Sequence, residues 1–420
     1  MKIFKSLGAL LLIWAGLSPA FLLNAQSKES VYSRYGYGSL RDHTTSAQRA
    51  MGGVGYAMQS GRQVNVMNPA SYAAIDSMTF LFDMGLTLTY LDAKDGDNRA
   101  SDFGGGLDYI TMQFPIGKIM GASIGLLPYT STGYSFGEGI DNGANTFEGE
   151  GGINILYAGF AIRPLVPGLS VGFNAGYMFG TTRYDNYVYT TTGSTALFER
   201  VMEVRDYYLQ LGVQYGVNLN RDHRIQAGFT YSPEKSLHGR TYGLMYDQTS
   251  ESAPEPENEM RLGGNYSVAA SYGAGLAYKF KENLSVEVDY TYQPWKNVKY
   301  TALPGYEGAV FDDRYKIAVG AEYMINPRGN WAQRIRFRAG AYYDRDYVMV
   351  VNDAGRNHVR KQGVTFGFGL PAPSSKTLIN LGFEFYNRQA TPNPLVKENF
   401  FAVTLGVNFN ELWFWKNKIL

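Results

Sequence analysis

Leu284-Ser285-Val286-Glu287-Val288-Asp289-Tyr290-Thr291-Tyr292 alternates without a break. Its even positions are Leu, Val, Val, Tyr and Tyr; its odd positions are Ser, Glu, Asp and Thr. Period two marks a strand with one apolar and one polar face. The pattern returns at 401–410, where Phe401, Val403, Leu405, Val407 and Phe409 interleave with Ala402, Thr404, Gly406, Asn408 and Asn410. It also returns at 207–217 and at 334–341. Segments of about ten residues or more exceed the usual five or six of a sandwich strand and match the length that crosses a bilayer at a tilt.

The alternation predicts fourteen strands, at 78–91, 104–114, 119–131, 150–162, 168–188, 202–218, 223–246, 264–280, 283–295, 312–325, 333–346, 362–371, 377–388 and 399–411. The 223–246 segment is kept as one strand with a bulge or kink at Pro233, because single-chain bacterial barrels have even strand numbers. Short links alternate with longer polar links at 92–103, 132–149, 189–201, 247–263, 296–311, 347–361 and 389–398. Outer-membrane barrels have short periplasmic turns and longer outer loops. The expected fold is therefore an all-β, 14-stranded antiparallel transmembrane barrel with a periplasmic C-terminus.

Composition agrees. The chain has 420 residues, 33 Tyr, 49 Gly and no Cys, with a net charge of +1. Near-neutral charge offers no basic face for nucleic acid, and the lack of Cys removes thiol catalysis and Cys-ligated metal. Lys2 and Lys5, the apolar run 7–17 and the small residues that follow read as a secretory leader at 1–25. The mature chain is expected to divide into an N-terminal hatch at 26–77, the barrel at 78–411 and a periplasmic tail at 412–420. Trp413, Phe414 and Trp415, followed by Lys416 and Lys418, suit a membrane–water boundary.

Charges on the polar faces are Asp83, Glu287, Asp289, Lys316, Glu322, Arg334, Arg336, Arg338 and Glu384. Facing lipid they would be costly, so they are expected to point into the lumen. Two readings stand for them: a site for an anionic headgroup, or an interior ion-pair network holding wall and plug. A fourteen-strand lumen is too wide for wall side chains alone to fill. The Gly-bent, partly apolar segment 26–77 shows no strand alternation and is the candidate plug.

Within it, Gln63-Val64-Asn65-Val66-Met67-Asn68-Pro69-Ala70-Ser71 and Ala50-Met51-Gly52-Gly53-Val54-Gly55 resemble the hatch of the FadL-like outer-membrane transporters for hydrophobic compounds. Tyr315–Gly320 and Arg336–Asp344 resemble that family's late strands. The resemblance implies a hatch motif at Asn68, Pro69 and Ala70, and diffusion of apolar ligands to a lateral opening in the wall. Pro128 lies in the third strand, where proline withholds an N–H from the ladder. The family's opening at a kink in that strand would then be lined by Gly125, Pro128, Tyr129 and Tyr134. Some relatives are instead accessory barrels in secretion or assembly machines.

His43, His223, His238 and His358 are scattered without ligand spacing, and no Ser–His pairing stands out. The expectation is a non-enzyme of the Gram-negative outer membrane, without cofactor or metal. Its expected partners are outer-membrane lipid, a small apolar ligand, or other outer-membrane proteins and lipoproteins. Passive transport of apolar molecules and an accessory role in a larger complex are the two functional readings.

Overall fold

The computed structural model describes residues 29–412, apart from 141–142, 191–194, 248–254, 302–308, 353–354 and 374–375. The leader at 1–25 and the aromatics Trp413, Phe414 and Trp415 lie outside the described residues.

The wall is a closed, fourteen-strand antiparallel barrel. Its strands are β1 (Thr79–Asp95), β2 (Asn98–Ile116), β3 (Met120–Pro128, resuming as Thr130–Ile140), β4 (Gly143–Ile162), β5 (Leu169–Thr190), β6 (Thr195–Asn218) and β7 (His223–Ser232, Lys235–Ser236, Gly239–Asp247). They continue with β8 (Glu257–Arg261, Ser267–Val268, Ser271–Phe280), β9 (Leu284–Gln293), β10 (Ala309–Phe311, Arg314–Met324), β11 (Arg336–Asn352), β12 (Gly355–Pro371), β13 (Leu378–Thr391) and β14 (Lys397–Leu412). Closure comes from β1 against β14, in register from Thr79↔Leu412 to Lys94↔Lys397.

The barrel is inside-out relative to a soluble protein. On β9, Glu287, Asp289 and Thr291 are buried while Val288 and Tyr290 are nearly half exposed. The same inversion holds on β14, where Thr404, Asn408 and Asn410 are buried and Phe401, Leu405 and Phe409 face outward. Apolar atoms facing out and polar atoms facing in suit a wall whose solvent is lipid.

Strand length departs from expectation. Strands β5 and β6 run 22 and 24 residues, about twice what a bilayer crossing needs. The polar links expected at 92–103, 132–149, 189–201 and 347–361 are largely ladder: Asp92↔Ser101, Gly137↔Thr146, Val188↔Ala196 and Val350↔Asn357 are paired residues. Above the bilayer both faces of a strand are wet, so alternation fades while backbone pairing continues. The sheet therefore extends into a rim opposite the end that carries the short turns.

Two interruptions of the wall, among those in the described residues, fall at a proline. In β7 the ladder to β6 stops at Leu211↔Tyr231 and resumes at Val204↔Gly239, across Pro233. The expectation of one kinked strand there holds. Lys235 fills this break: its ammonium donates to the Tyr207 carbonyl, sits 3.2 Å from Asp206 and lies over the Tyr207 ring. The second interruption, at Pro128, is described below.

Candidate functional site

Residues 29–77 fold into short pieces inside the wall: a 3-10 helix at Val31–Arg34, a two-residue strand at Ser39–Leu40, a helix at Ser46–Arg49 and a 3-10 helix at Pro69–Ala74. Asn68 caps the last of these, its Oδ1 accepting the Ala70 N–H at 3.1 Å, with Pro69 at the first helical position where its missing N–H costs nothing. The Asn68 amide also reaches both ways. It donates to the Tyr56 carbonyl at 2.7 Å within the segment and to the Val213 carbonyl at 3.2 Å on the wall. Asn65, three residues earlier, organises the interior: its amide donates to the Gly55 and Met58 carbonyls, and its oxygen accepts from Gln48 and Met67.

Wall side chains hold this hatch along its length. Asp289 accepts the N–H groups of Gly55 and Tyr56, and Glu287 those of Ala57 and Met58. Glu384 takes Arg49 Nε at 2.7 Å, while the same guanidinium reaches Asp108 at 3.1 Å. Asp42 bridges Lys316 and Arg314, and Arg314 also holds Asp344. Burial alone would raise the Asp42 carboxyl, but Lys316 and Arg314 outweigh it and hold it far below the usual carboxylate range. Nearer the rim, Glu398 accepts from Ser30 and the Val31 N–H.

Glycines make room for these contacts. A Cβ on Gly228 would stand 1.8 Å from the Tyr56 carbonyl oxygen, and one on Gly340 2.2 Å from the Met51 carbonyl carbon. No L-side chain fits at either position without moving the hatch.

Among the expected lumen charges, Asp83, Glu287, Asp289, Lys316, Arg338 and Glu384 are buried inside the barrel. Asp83 accepts from Tyr109 and Asn408, and Glu322 receives both Arg336 and Arg338. These contacts form an ion-pair network between wall and hatch. Arg334 is a correction: it precedes β11 in a 3-10 turn, so it does not share the strand face of Arg336 and Arg338. It lines a cavity of about 540 Å³ at the short-turn end, with Lys279, Glu322 and Gln63.

Around Asp42 and His43, midway along the lumen, little free space is left. Two cavities of about 90 and 80 Å³ flank Asp42 and His43, among Arg314, Tyr342, Lys361, Tyr208 and Gln210. Toward the rim, Tyr37 of the hatch packs with Trp295, Tyr300, Phe311 and Tyr347 at ring separations of 4.6–6.1 Å. Its hydroxyl donates to the Ser267 carbonyl.

At Pro128 the wall opens. Strand β2 pairs with β3 only from Ile110↔Leu126 down to Ile116↔Met120. Above that, β2 pairs with β1 alone, and the upper half of β3 pairs with β4 and with the hatch strand, Ser39↔Ser131 and Leu40↔Thr130. The result is a seam between β2 and β3 beside a cavity of about 370 Å³, lined by Gly104–Gly106, Leu107, Asp108, Pro128, Thr130, Ser131 and Gly151. Its lining is thus mainly glycine, hydroxyl and charge. Gly125 does not belong to it, since it is paired on both sides, with Thr111 and Tyr157. Tyr129 faces inward, its ring 6.2 Å from His43, and Tyr134 is buried against the upper wall. The signal that could have located the seam is Gly104-Gly105-Gly106, a run that no packed strand face requires.

A family model described as BamG matches residues 8–419. No curated protein sequence matches the chain. Solved structures share the fold at low identity. The P. putida toluene transporter TodX is 16% identical, with a TM-score of 0.58 over 89% of this chain and 100% of its own. A Pseudomonas aeruginosa FadL homologue is 13% identical, with a TM-score of 0.58 over 89% and 99%. The CymD monoaromatic hydrocarbon channel is 15% identical, with a TM-score of 0.55 over 90% and 99%.

Proposed function

The chain belongs to the BamG family and is an outer-membrane barrel of the FadL-like fold, and from that membership and the state of its lumen we propose that it serves as a non-conducting accessory barrel within a larger outer-membrane complex. One observation carries the reading: the hatch is bolted across the lumen by buried carboxyl and guanidinium contacts. Glu287 and Asp289 take four consecutive hatch N–H groups, and Arg49 joins Glu384 to Asp108. A ligand-sized pocket is usually about 300–1,000 Å³ and predominantly apolar. The cavities flanking Asp42 and His43 hold only about 90 and 80 Å³, and the larger one of about 540 Å³ against the hatch at the short-turn end carries Lys279, Glu287, Glu322, Arg334 and Arg336 on its wall. In this reading the first and last strands of the barrel begin and end on the periplasmic side, and the chain does no catalysis. Solubilisation in mild detergent should recover the barrel in fixed stoichiometry with other outer-membrane proteins, and the lone barrel should show no stable single-channel conductance. Recovery as a free monomer, or an open pore, would sink the proposal.

A second reading has its own observation. The seam at Pro128 supplies a sideways route between lumen and bilayer, and the solved neighbours bear names of toluene and hydrocarbon channels. On that reading the protein passes small apolar molecules to the membrane. Toluene uptake by cells that carry or lack the chain is the direct comparison; equal rates would exclude it.

A further inference from the structure

We infer that the seam is a docking edge for an extended polypeptide strand supplied by a partner protein, which adds to β2 along Asn98–Asp108. The inference rests on the accessory reading and names how the partner is held.

The first argument is depth. Outward-facing residues of the β1–β2 hairpin stay apolar from Phe80 and Ile116 up to Tyr90 and Phe103, whose rings pack at 4.9 Å; Asp92 and Arg99 follow, and they pair with each other. The seam begins just above Ile110. Its lower part, Phe103–Asp108, therefore lies within the apolar belt. Backbone N–H and C=O groups at that depth need partners, because lipid supplies none.

The second argument is which edge is free. On the β3 side, the hatch already satisfies the backbone. Ser39 and Leu40 pair with Ser131 and Thr130, Arg41 N–H donates to the Tyr129 carbonyl, and the Glu29 and Ser30 N–H groups donate to Gly133. The β2 side has no pairing beyond Ile110 among the described residues. At the depth of Phe103–Asp108 the β2 edge is the one left, since the hatch covers β3 from Tyr129 to Gly133, and a strand edge is completed by another strand.

The third argument is the contrast within the same wall. The break at Pro233 is filled by Lys235, which caps the exposed Tyr207 carbonyl. Along the edge at Pro128, a side chain caps only the upper end among the described residues, where Asp102 Oδ1 accepts the Phe103 N–H at 2.8 Å. Gly106 leaves the place beside it clear, since a Cβ there would meet nothing within 4 Å, while Gly105 makes room for Thr87 and Leu88 of β1. The adjoining cavity is rich in threonine, serine and charge. Such a lining complements a peptide's amides rather than a hydrocarbon.

The test is photocrosslinking in the native membrane, with p-benzoylphenylalanine placed in turn at Ser101, Phe103 and Leu107 of the full chain, and at Val288 as a distant lipid-facing control. The expected result is adducts from the three seam sites to one polypeptide, at residues that step by two and then four in a fixed direction. The Val288 site should give lipid adducts. Amides of 103–108 should exchange at least about tenfold more slowly in the co-purified complex than in the lone barrel in the same detergent. Lipid-only adducts at the seam, adducts to a second copy of this chain, a helical spacing of three or four, or unchanged exchange would overturn the inference. Partners that co-purify without the stepped adducts would remove the strand and leave the accessory reading standing. Absence of any partner together with lipid adducts would remove both.

Discussion

Glu287 and Asp289, two residues apart on β9, together accept the backbone N–H groups of four successive hatch residues, Gly55 and Tyr56 on Asp289 and Ala57 and Met58 on Glu287, at 2.7–3.1 Å. The spacing of a strand puts both carboxylates on the lumen face. The hatch presents its N–H groups in a row because Gly55 and Asn65 bend the chain toward the wall. Removing such an acceptor strands the buried donors it served. Asp289→Ala should loosen the hatch by about 2–5 kcal/mol. Trypsin cleavage at Arg49 or Arg62 in folded, detergent-solubilised protein reads this directly. Asp289→Asn keeps an acceptor oxygen and should be much milder; equal protease resistance in wild type and Asp289→Ala would refute the clamp.

Gly228 tests the same seating by shape rather than charge. Its missing Cβ leaves the Tyr56 carbonyl room at 1.8 Å from where that atom would stand. Gly228→Val should displace the hatch, raise conductance across planar bilayers and leave heat-modifiable barrel migration intact. Gly139→Ala, at a position with nothing within 4 Å, should do none of this. A closed, wild-type conductance in Gly228→Val would count against the close approach.

These two cases show what was legible in the sequence. Alternation at 284–292 and 401–410 reported lumen and lipid faces directly, because each side chain there meets only one solvent. Lumen charges such as Glu287, Asp289 and Glu384 followed from the cost of putting them in lipid. The wall glycines did not stand out, since a Gly on a strand reads the same whether it faces a ligand, a bulge or a hatch carbonyl. Rim strands were read as loops because Asp92, Ser101, Thr146 and Asn357 are polar on both faces. Pro128 marked the break in β3, yet its neighbours were misassigned. Gly125 sits below the break inside an intact ladder, and the unpaired edge belongs to β2, which pairs with β3 only below it.

Lys235 should be a wall-stability residue. It spans the Pro233 break, neutralises Asp206 and caps the Tyr207 carbonyl. Lys235→Ala leaves buried Asp206 with only the Tyr207 and His238 N–H groups and the His238 ring, and it uncaps the Tyr207 carbonyl, at a cost of about 1–3 kcal/mol. The temperature at which the folded band converts to the unfolded one on gels should fall clearly. Lys235→Arg should recover part of the loss. An unshifted conversion temperature in Lys235→Ala would show that the break needs no filler.

His43 gives the seating of the hatch a pH-dependent contribution of its own. Its ring lies between Tyr129 and Tyr208, at 6.2 and 5.9 Å, and its Nε2 has no hydrogen-bond partner. Burial lowers its pKa to about 4, against the opposing pull of Asp42 beside it. A released hatch would expose the ring to water, where histidine titrates near 6.5. Between those values the released form binds the proton and the seated form does not. The His43 contribution to hatch seating is therefore full above about pH 6.5, falls as pH drops through that range and levels off below about 4, with a total loss of at most about 3 kcal/mol. Asp42 does not reverse the trend, because Lys316 and Arg314 keep it ionised throughout the window. Hatch protease accessibility measured from pH 7.5 to 4.5 should rise as pH falls, and His43→Gln should flatten the curve. Accessibility that rises equally in His43→Gln would assign the pH dependence to other groups.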